Sequence, residues 1–434
     1  MNDLKLIIHH NLKLINENDK EQCTNMICQF IEYLRSMEII KKLLITIRDL
    51  LSWIEFINLN SLNSWKYSYE QGAYLVFIDS IETNSKIKEN ICKFLFNQLE
   101  NEIEIQSNFE INENEIQIGQ YRLKRGEKQM NSINDYCFQA PTTRINLERL
   151  VRAMQLNKKP ILIEGNPGVG KTSLVMALAK LAGYSFIRIN LSEQTDISDL
   201  FGSDLPDIES GEIGKFRWHD GPLLKAIKTN QWIILDELNL ANQSVLEGLN
   251  ACLDHRGEIY IPELNRTFFI HQKNEFQPLR IFACQNPYGQ TAGRKGLPKS
   301  FLNRFTTIYF SIFQRIDLKI ICQELFSNFN EEILEKILNF HQMIEKEFSS
   351  NQWEFNLRDL LKWCQLINEN NQNLFSAFHL IYFQRMRTKQ DQEKILFCYT
   401  NATGWKIQSI ENHFHFDSKI LRVKKKKFFF SFSF

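Results

Sequence analysis

Residues Gly165–Thr172, GNPGVGKT, fit the pattern GxxxxGK[ST], and the residue types are those that hold a phosphate. Gly165, Gly168 and Gly170 let successive backbone N–H groups close round an anion at a helix N-terminus, where the helix dipole favours negative charge. Lys171 then reaches β- and γ-phosphates, and Thr172 supplies a hydroxyl to Mg2+. The expected nucleotide-holding set is Gly165, Asn166, Pro167, Gly168, Val169, Gly170, Lys171, Thr172 and Ser173, with ATP and Mg2+ as the cofactors. The plainer alternative is a glycine-rich turn without a ligand.

Hydrolysis needs more than a cradle: an acid to position the metal and a group to orient water. WIILDEL offers both, with Asp236 to hold Mg2+ directly or through water and Glu237 to orient and polarise the attacking water. An Asp-Glu pair can also simply cap the helix that follows a strand. Asn286, in ACQNP, either hydrogen-bonds that water or the γ-phosphate, or forms a turn before Pro287. Arg304, in SFLNRF, either supplies charge to developing negative oxygens or makes a surface salt bridge.

These residues need a frame. Ile161–Ile163 is a short buried strand before the loop, and SLVMALAKLAG after it is an amphipathic helix stopped by Gly183. FIRIN, WIILD, RIFACQ and TTIYF are further apolar runs, which makes five buried strands and predicts a parallel α/β sheet covered on both faces. Phosphates then sit at the carboxyl edge of that sheet. From about Asp317 helical periodicity replaces strands, and residues 1 to about 100 are also helical, with Gly72-AYLVFIDSI open between a buried helix and a strand. Residues 101–134 are polar; the alternation in EIEIQ and EIQIGQYRL fits a small hairpin or a linker. CFQAPTTRINLERL restarts a helix at Pro141 and Thr142 or Thr143. The last stretch, LRVKKKKFFFSFSF, is low in complexity and is expected to be an unstructured end.

Bulk composition narrows the classes. A hydrophobic fraction of 43% with 24% charged residues is a globular composition, and 434 residues suggest more than one domain. Lys+Arg 52 against Asp+Glu 51 gives no global attraction to nucleic acid or membrane, and no direct nucleic-acid site is expected. Nine scattered cysteines without a CxxC pair argue for reduced thiols, in the cytosol or nucleus, and against a zinc site. No secretory signal and no membrane span is visible.

One segment occurs twice. TIRDLLSWIEFIN and NLRDLLKWCQLIN align without a gap, placing Arg48 against Arg358 and Trp53 against Trp363 at an offset of 310 residues. Chance similarity between amphipathic helices supplies leucines more readily than a shared Arg-Asp pair and tryptophan. The repeat implies that the first hundred residues are the helical end of an earlier copy, and the chain a piece of a tandem array.

The order GNPGVGKT, LDE, QNP, NRF and NLRD resembles an AAA+ ATPase. RINLSEQTDISDLFGSDLP, LDELNLANQSVLEGLNACLDHRGEIYIPELNRTF and GRKGLPKSFLNRF are similar to the midasin family, large proteins of ribosomal-subunit assembly with several AAA+ modules in one chain. The close match runs from about Ala140 to Phe310; outside it, GAYLVFID, the RD motifs and YFQRMRT carry the likeness. The resemblance implies that Gly165–Thr172 is the Walker A loop, Asp236 and Glu237 the Walker B pair, Asn286 sensor 1, Arg304 an arginine finger and Arg358 the sensor 2 arginine. Arg304 then serves a neighbouring module's ATP. The implied domains are a helical lid remnant at 1–100, a linker at 101–137, an AAA+ core at 138–312, a helical lid at 313–420 and a tail at 421–434. Hairpin insertions are implied near Gly211–Asp220 and Gly257–Phe276. The implied partners are neighbouring modules of one ring, the pre-60S ribosomal particle and its assembly factors, in the nucleolus and nucleoplasm. The family's long linker, acidic region and metal-ion-dependent adhesion domain have no counterpart in these residues.

Overall fold

The computed structural model describes residues 2–14, 16–36, 46–61, 64–81, 86–99, 109–126, 136–156, 159–206, 216–254, 256–270, 279–287, 296–326, 329–348, 353–370, 374–405, 416–417 and 420–421. They form two compact units that divide between Leu325 and Phe326. No helix among the described residues is long and apolar enough to cross a membrane.

The first unit begins with helices α1 (Asn2–Asn11), α2 (Glu17–Ser36), α3 (Ile47–Asn60) and α4 (Trp65–Ala73), a π-helical turn at Tyr74–Ile78, and α5 (Lys86–Gln98). The RD motif starts α3 through a capping box: Thr46 Oγ1 accepts from the Asp49 N–H, and the Asp49 carboxylate accepts from the Thr46 N–H at 2.9 Å. The motif tryptophan fills the core of this layer. Trp53 is fully buried, edge-on to Phe30 with 5.3 Å between ring centroids. GAYLVFID is thus helical, with a π turn where the β-branched reading left a strand open.

Gly72 shows how tight the layer is. A Cβ there would lie 2.4 Å from Trp53 Cδ1 and 3.2 Å from Phe56 Cδ1. Gly72→Ala is therefore expected to cost about 1–3 kcal/mol by overpacking, despite the better helix propensity of alanine. A lowered thermal midpoint in circular dichroism would show it, and an unchanged one would refute it.

Residues 109–124 correct the linker reading. They fold into an antiparallel meander of β1 (Phe109–Ile111), β2 (Glu115–Ile118) and β3 (Tyr121–Lys124). The alternation that suggested a hairpin is the cause: Ile116, Ile118, Tyr121 and Leu123 point inward and join the core beneath α6 (Pro141–Met154). EIEIQ lies outside the described residues.

The sheet that follows is parallel throughout. Along the chain come β4 (Ile161–Glu164), α7 (Lys171–Ala182), β5 (Phe186–Asn190), α8 (Ile197–Phe201), β6 (Gly202–Pro206), β7 (Phe216–Asp220), α9 (Pro222–Lys228) and β8 (Trp232–Asp236). After these come α10 (Gln243–Leu253), β9 (Glu258–Ile261), β10 (Arg266–Phe269), β11 (Ile281–Gln285), α11 (Lys299–Leu302), β12 (Thr306–Tyr309) and α12 (Arg315–Leu325). The five-stranded order is β12-β4-β11-β8-β5. Ile161, Ile163, Ile234 and Phe282 face one core, whereas Leu162, Ile233, Leu235 and Ala283 face the other. Burial on both faces explains why β4, β8 and β11 read as unbroken apolar runs, whereas β5, at the sheet edge, is not a buried strand as expected and leaves Arg188 and Asn190 exposed. Two hairpins stand off the sheet. β6 pairs with β7 from Gly202↔Asp220, so the first insertion begins earlier than Gly211, and β9 pairs with β10 within the second.

The second unit is helical, with α13 (Glu331–Glu347), α14 (Leu357–Asn370), α15 (Leu374–Ile381), a 3-10 turn at Phe383–Arg385 and α16 (Lys389–Thr403). Residues 422–434 of the tail lie outside the described residues. The repeat extends into this core. Trp363 is fully buried and meets Phe340 edge-on at 5.3 Å, and Phe340 stands 310 positions after Phe30. At the same offset Tyr382 replaces Gly72 and packs on Trp363 with 5.4 Å between ring centroids. Where the first layer brings backbone against the indole, the second brings a ring.

Candidate functional site

The phosphate loop leaves the carboxyl end of β4. Gly165 takes φ 157°, and a Cβ there would press on the Phe310 carbonyl oxygen at 3.0 Å, so both backbone and space favour glycine. Gly170 caps α7 in the left-handed region at φ 77°, which brings the first N–H groups of the helix round towards the loop. Val169 is buried and anchors the turn, while Asn166 accepts from the Tyr309 hydroxyl at 3.4 Å. Pro167 lies between them, and Ser173 is exposed in the first turn of α7.

Lys171 folds back over this loop. Its Nζ donates to the Gly165 carbonyl at 2.7 Å, the Asn166 carbonyl at 3.0 Å and Asn286 Oδ1 at 2.7 Å, and the residue is only 9% exposed. A nearly buried ammonium at a helix N-terminus is a strong attractor for an anion, because little water screens it.

Strand order explains the rest of the constellation. β11 lies between β4 and β8, so the residue that follows β11 stands between the loop and the acidic pair. Asn286 fills that position. Its Oδ1 faces Lys171, and its Nδ2 donates to Glu237 Oε1 at 3.1 Å and Oε2 at 3.4 Å. This is the only amide orientation that gives the cation an acceptor and the carboxylate a donor. The Asn286 carbonyl is itself held by Asn239 Nδ2 at 3.3 Å. Glu237 adopts left-handed backbone angles, φ 54° and ψ 46°, which are unfavourable for a non-glycine residue and occur where a site over-determines the backbone.

Asp236 ends β8 beside Thr172, whose hydroxyl donates to its Oδ2 at 3.1 Å. Behind them Cys284 fills the sheet, its thiol pushed up to about 12 by burial and therefore inert as a nucleophile or ligand. Hydroxyl and carboxylate oxygens side by side are the donor set of a hard divalent cation, so the pair fits Mg2+.

One residue of this site was absent from the sequence reading. Arg188, in β5, donates to Asp236 Oδ2 from Nη2 at 2.6 Å and Nε at 3.0 Å. The signal was an arginine inside the run FIRIN, on an exposed position of the edge strand next to the one that ends in Asp236.

Arg304 is set apart from this constellation. It precedes β12 by two residues, and β12 runs parallel to β4 with Thr306 opposite Ile161. Arg304 therefore lies at the amino edge of the sheet and the phosphate loop at the carboxyl edge. It pairs with Asp254 at 3.1 Å. Arg358 belongs to the second unit, in the first turn of α14, where its N–H donates to Asn356 Oδ1 at 3.0 Å.

Comparison with known proteins identifies the domains. Residues 160–305 match the family described as an AAA domain of the dynein-related subfamily. Residues 317–406 match the midasin AAA lid domain, and residues 1–79 a midasin AAA+ ATPase lid domain. Midasin of Dictyostelium discoideum is 42% identical over 415 residues, which cover 86% of this chain and 7% of that protein. Midasin of Giardia intestinalis is 44% identical over 279 residues, 61% of this chain and 6% of that protein. An uncharacterised Staphylococcus aureus protein is 26% identical over 215 residues, 49% of this chain and 79% of its own length. The chain thus spans less than a tenth of the midasins it matches. With an AAA domain between two midasin lid domains along the sequence, the chain belongs to the midasin family of AAA+ proteins.

Proposed function

We propose that this module binds ATP with Mg2+ and hydrolyses it as one engine in a ring of AAA+ modules. The observation that carries the reading is Asn286 bridging Lys171 and Glu237. It supports the reading because the Lys171 ammonium, suited to attract a γ-phosphate, and the Glu237 carboxylate, suited to take a proton, stand on either side of one amide. The loop N–H groups and Lys171 would hold the phosphates, and Thr172 and Asp236 would hold Mg2+, which would supply charge neutralisation there. Glu237 accepts a proton from water as the water oxygen bonds to the γ-phosphorus; the bond to the bridging oxygen breaks, and ADP keeps the electron pair. Fluorescent-nucleotide titration and phosphate release by the purified chain test this directly. An intact fold with no measurable ATP binding would overturn it.

The position of Arg304 at the opposite edge of the sheet supports its use in a neighbouring module's site. Arg304→Ala is accordingly expected to leave the ATP affinity of this chain within about twofold, since surface pairs of this kind contribute little. A large loss of affinity would place the arginine in its own module's site instead. Turnover by the chain alone is expected to be slow, and fast turnover by a proven monomer would contradict the shared-site arrangement.

By likeness to midasin, we further propose that the motor remodels pre-60S ribosomal particles and releases assembly factors in the nucleus, with neighbouring modules as its immediate partners and Arg358 as the lid arginine of this site. A second reading is favoured by one observation: Arg188 occupies the Asp236 oxygen that accepts from Thr172. A module that holds nucleotide to cement the ring, with little hydrolysis, would tolerate that competition. A ring whose turnover is unchanged by Glu237→Gln in this module would favour the second reading.

A further inference from the structure

The GAYLVFID segment has no part in the chemistry above, yet its last residue is buried. The π turn at Tyr74–Ile78 ends with the Asp79 N–H donating to the Tyr74 carbonyl at 2.8 Å. Such widened turns recur at functional sites because the extra residue re-aims the chain. Here it delivers Asp79, 1% exposed, into a cluster with two arginines of α6. Arg152 Nη1 pairs with Asp79 Oδ2 at 2.5 Å, and Arg149 Nε lies 3.6 Å from Oδ1.

The cluster grips the chain segment that follows the edge strand β12. The Tyr309 N–H donates to the Asp79 carbonyl at 2.6 Å, and Arg149 Nη1 donates to the Tyr309 carbonyl at 2.6 Å and Ser311 Oγ at 2.9 Å. From that grip the segment runs along the phosphate loop. The Tyr309 hydroxyl donates to Asn166 Oδ1, the Phe310 carbonyl sets the space allowed at Gly165, and the Phe313 ring lies 3.8 Å from where a Gly170 Cβ would be.

We propose that Asp79 is a positioning residue of the phosphate loop, and that the helical layer at residues 2–99 sets the shape of the nucleotide cradle through the strap Tyr309–Phe313. Resting on the nucleotide-binding reading, this adds a route by which the lid domain preceding the core biases the core's affinity. The physical warrant is the absence of slack. A buried carboxylate shared by two buried arginines has few alternative arrangements, so a shift of the layer moves Tyr309 and Ser311 with it. Linkage makes the route reciprocal, and nucleotide in the cradle tightens the same contacts.

The test is a double-mutant cycle on ATP affinity with Asp79→Asn, Tyr309→Phe and both, alongside hydrogen exchange of the loop amides. Asp79→Asn keeps the shape and removes the charge; Tyr309→Phe removes only the hydroxyl at the loop. Each is expected to weaken ATP binding by about 2- to 30-fold, the double variant by less than the product, and Asp79→Glu to recover part of the loss. Exchange of the amides of Gly165, Asn166 and residues 168–172 should quicken in Asp79→Asn without nucleotide present. If Asp79→Asn fails to fold, Ser311→Ala with Tyr309→Phe supplies the cycle. Multiplicative losses, or unchanged affinity and exchange, overturn the proposal. If the unaltered chain binds no nucleotide, the binding reading fails, and loop exchange alone decides whether Asp79 positions the loop.

Discussion

Lys171→Ala is expected to lower ATP affinity by about a hundredfold or more, while the fold survives. Removing one partner from a desolvated, hydrogen-bonded charge contact costs about 2–5 kcal/mol, and each 1.4 kcal/mol is tenfold in affinity. The ammonium sits where three oxygens converge, those of Gly165, Asn166 and Asn286. A phosphate entering the loop exchanges those neutral acceptors for a charged one, and the gain depends on the cation. The same geometry makes Lys171→Arg a poor rescue. A planar fork cannot present its donors to a compact set of converging acceptors as an ammonium does. Titration with a fluorescent ATP analogue, paired with a thermal melt, separates lost binding from lost fold. Retention of near-native affinity by Lys171→Ala would mean that the loop does not hold a nucleoside triphosphate.

Much of this site was legible because its residues are bound to local signals. The loop is contiguous, and the functional residues stand at or just after strand ends: the loop after β4, Asp236 at the end of β8 with Glu237 next, and Asn286 directly after β11. What the sequence could not supply was lateral order. Nothing in ACQNP says that β11 is inserted between β4 and β8, and that insertion alone turns Asn286 from a turn residue into a bridge. Arg188 escaped for the same reason, because its partner is reached across strands. The register of β5 on β8 that brings it to Asp236 is a tertiary fact.

The meander at residues 109–124 reads in sequence as either a hairpin or a linker. Its alternation is only four residues long in each strand, too short to outweigh the surrounding charge. Burial of Ile116 and Ile118 beneath α6 decides it, a contact between segments that no local pattern announces. The repeat was read from Arg48 and Trp53, but its strongest element is Phe30 against Phe340, each an aromatic wall for its motif tryptophan. In both copies the aspartate of the RD motif lies by the helix start: the Asp359 carboxylate accepts from the Asn356 N–H at 3.4 Å, as Asp49 does from Thr46. Capping is thus common to both aspartates, and in the second copy Asp359 also pairs with Arg385 at 2.9 Å.

Glu237→Gln separates binding from turnover. The glutamine keeps an acceptor oxygen for Asn286 Nδ2, so the bridge from Lys171 to residue 237 persists and the left-handed backbone at that position is not disturbed by a change of shape. What disappears is the base. A correctly placed general base contributes about 10²- to 10⁴-fold, and turnover is expected to fall by that order. ATP affinity should hold or improve slightly, because a negative charge facing the γ-phosphate has been removed. The pairing with Lys171→Ala is the point of the experiment: one variant loses affinity, and the other loses turnover with affinity kept. Phosphate release under single-turnover conditions, together with nucleotide retention after gel filtration, reads the two quantities apart in the chain and in the assembled ring. A Glu237→Gln module that still turns over at the native rate would show that Glu237 faces Asn286 for structure alone, and the bridge would then be a brace for the loop.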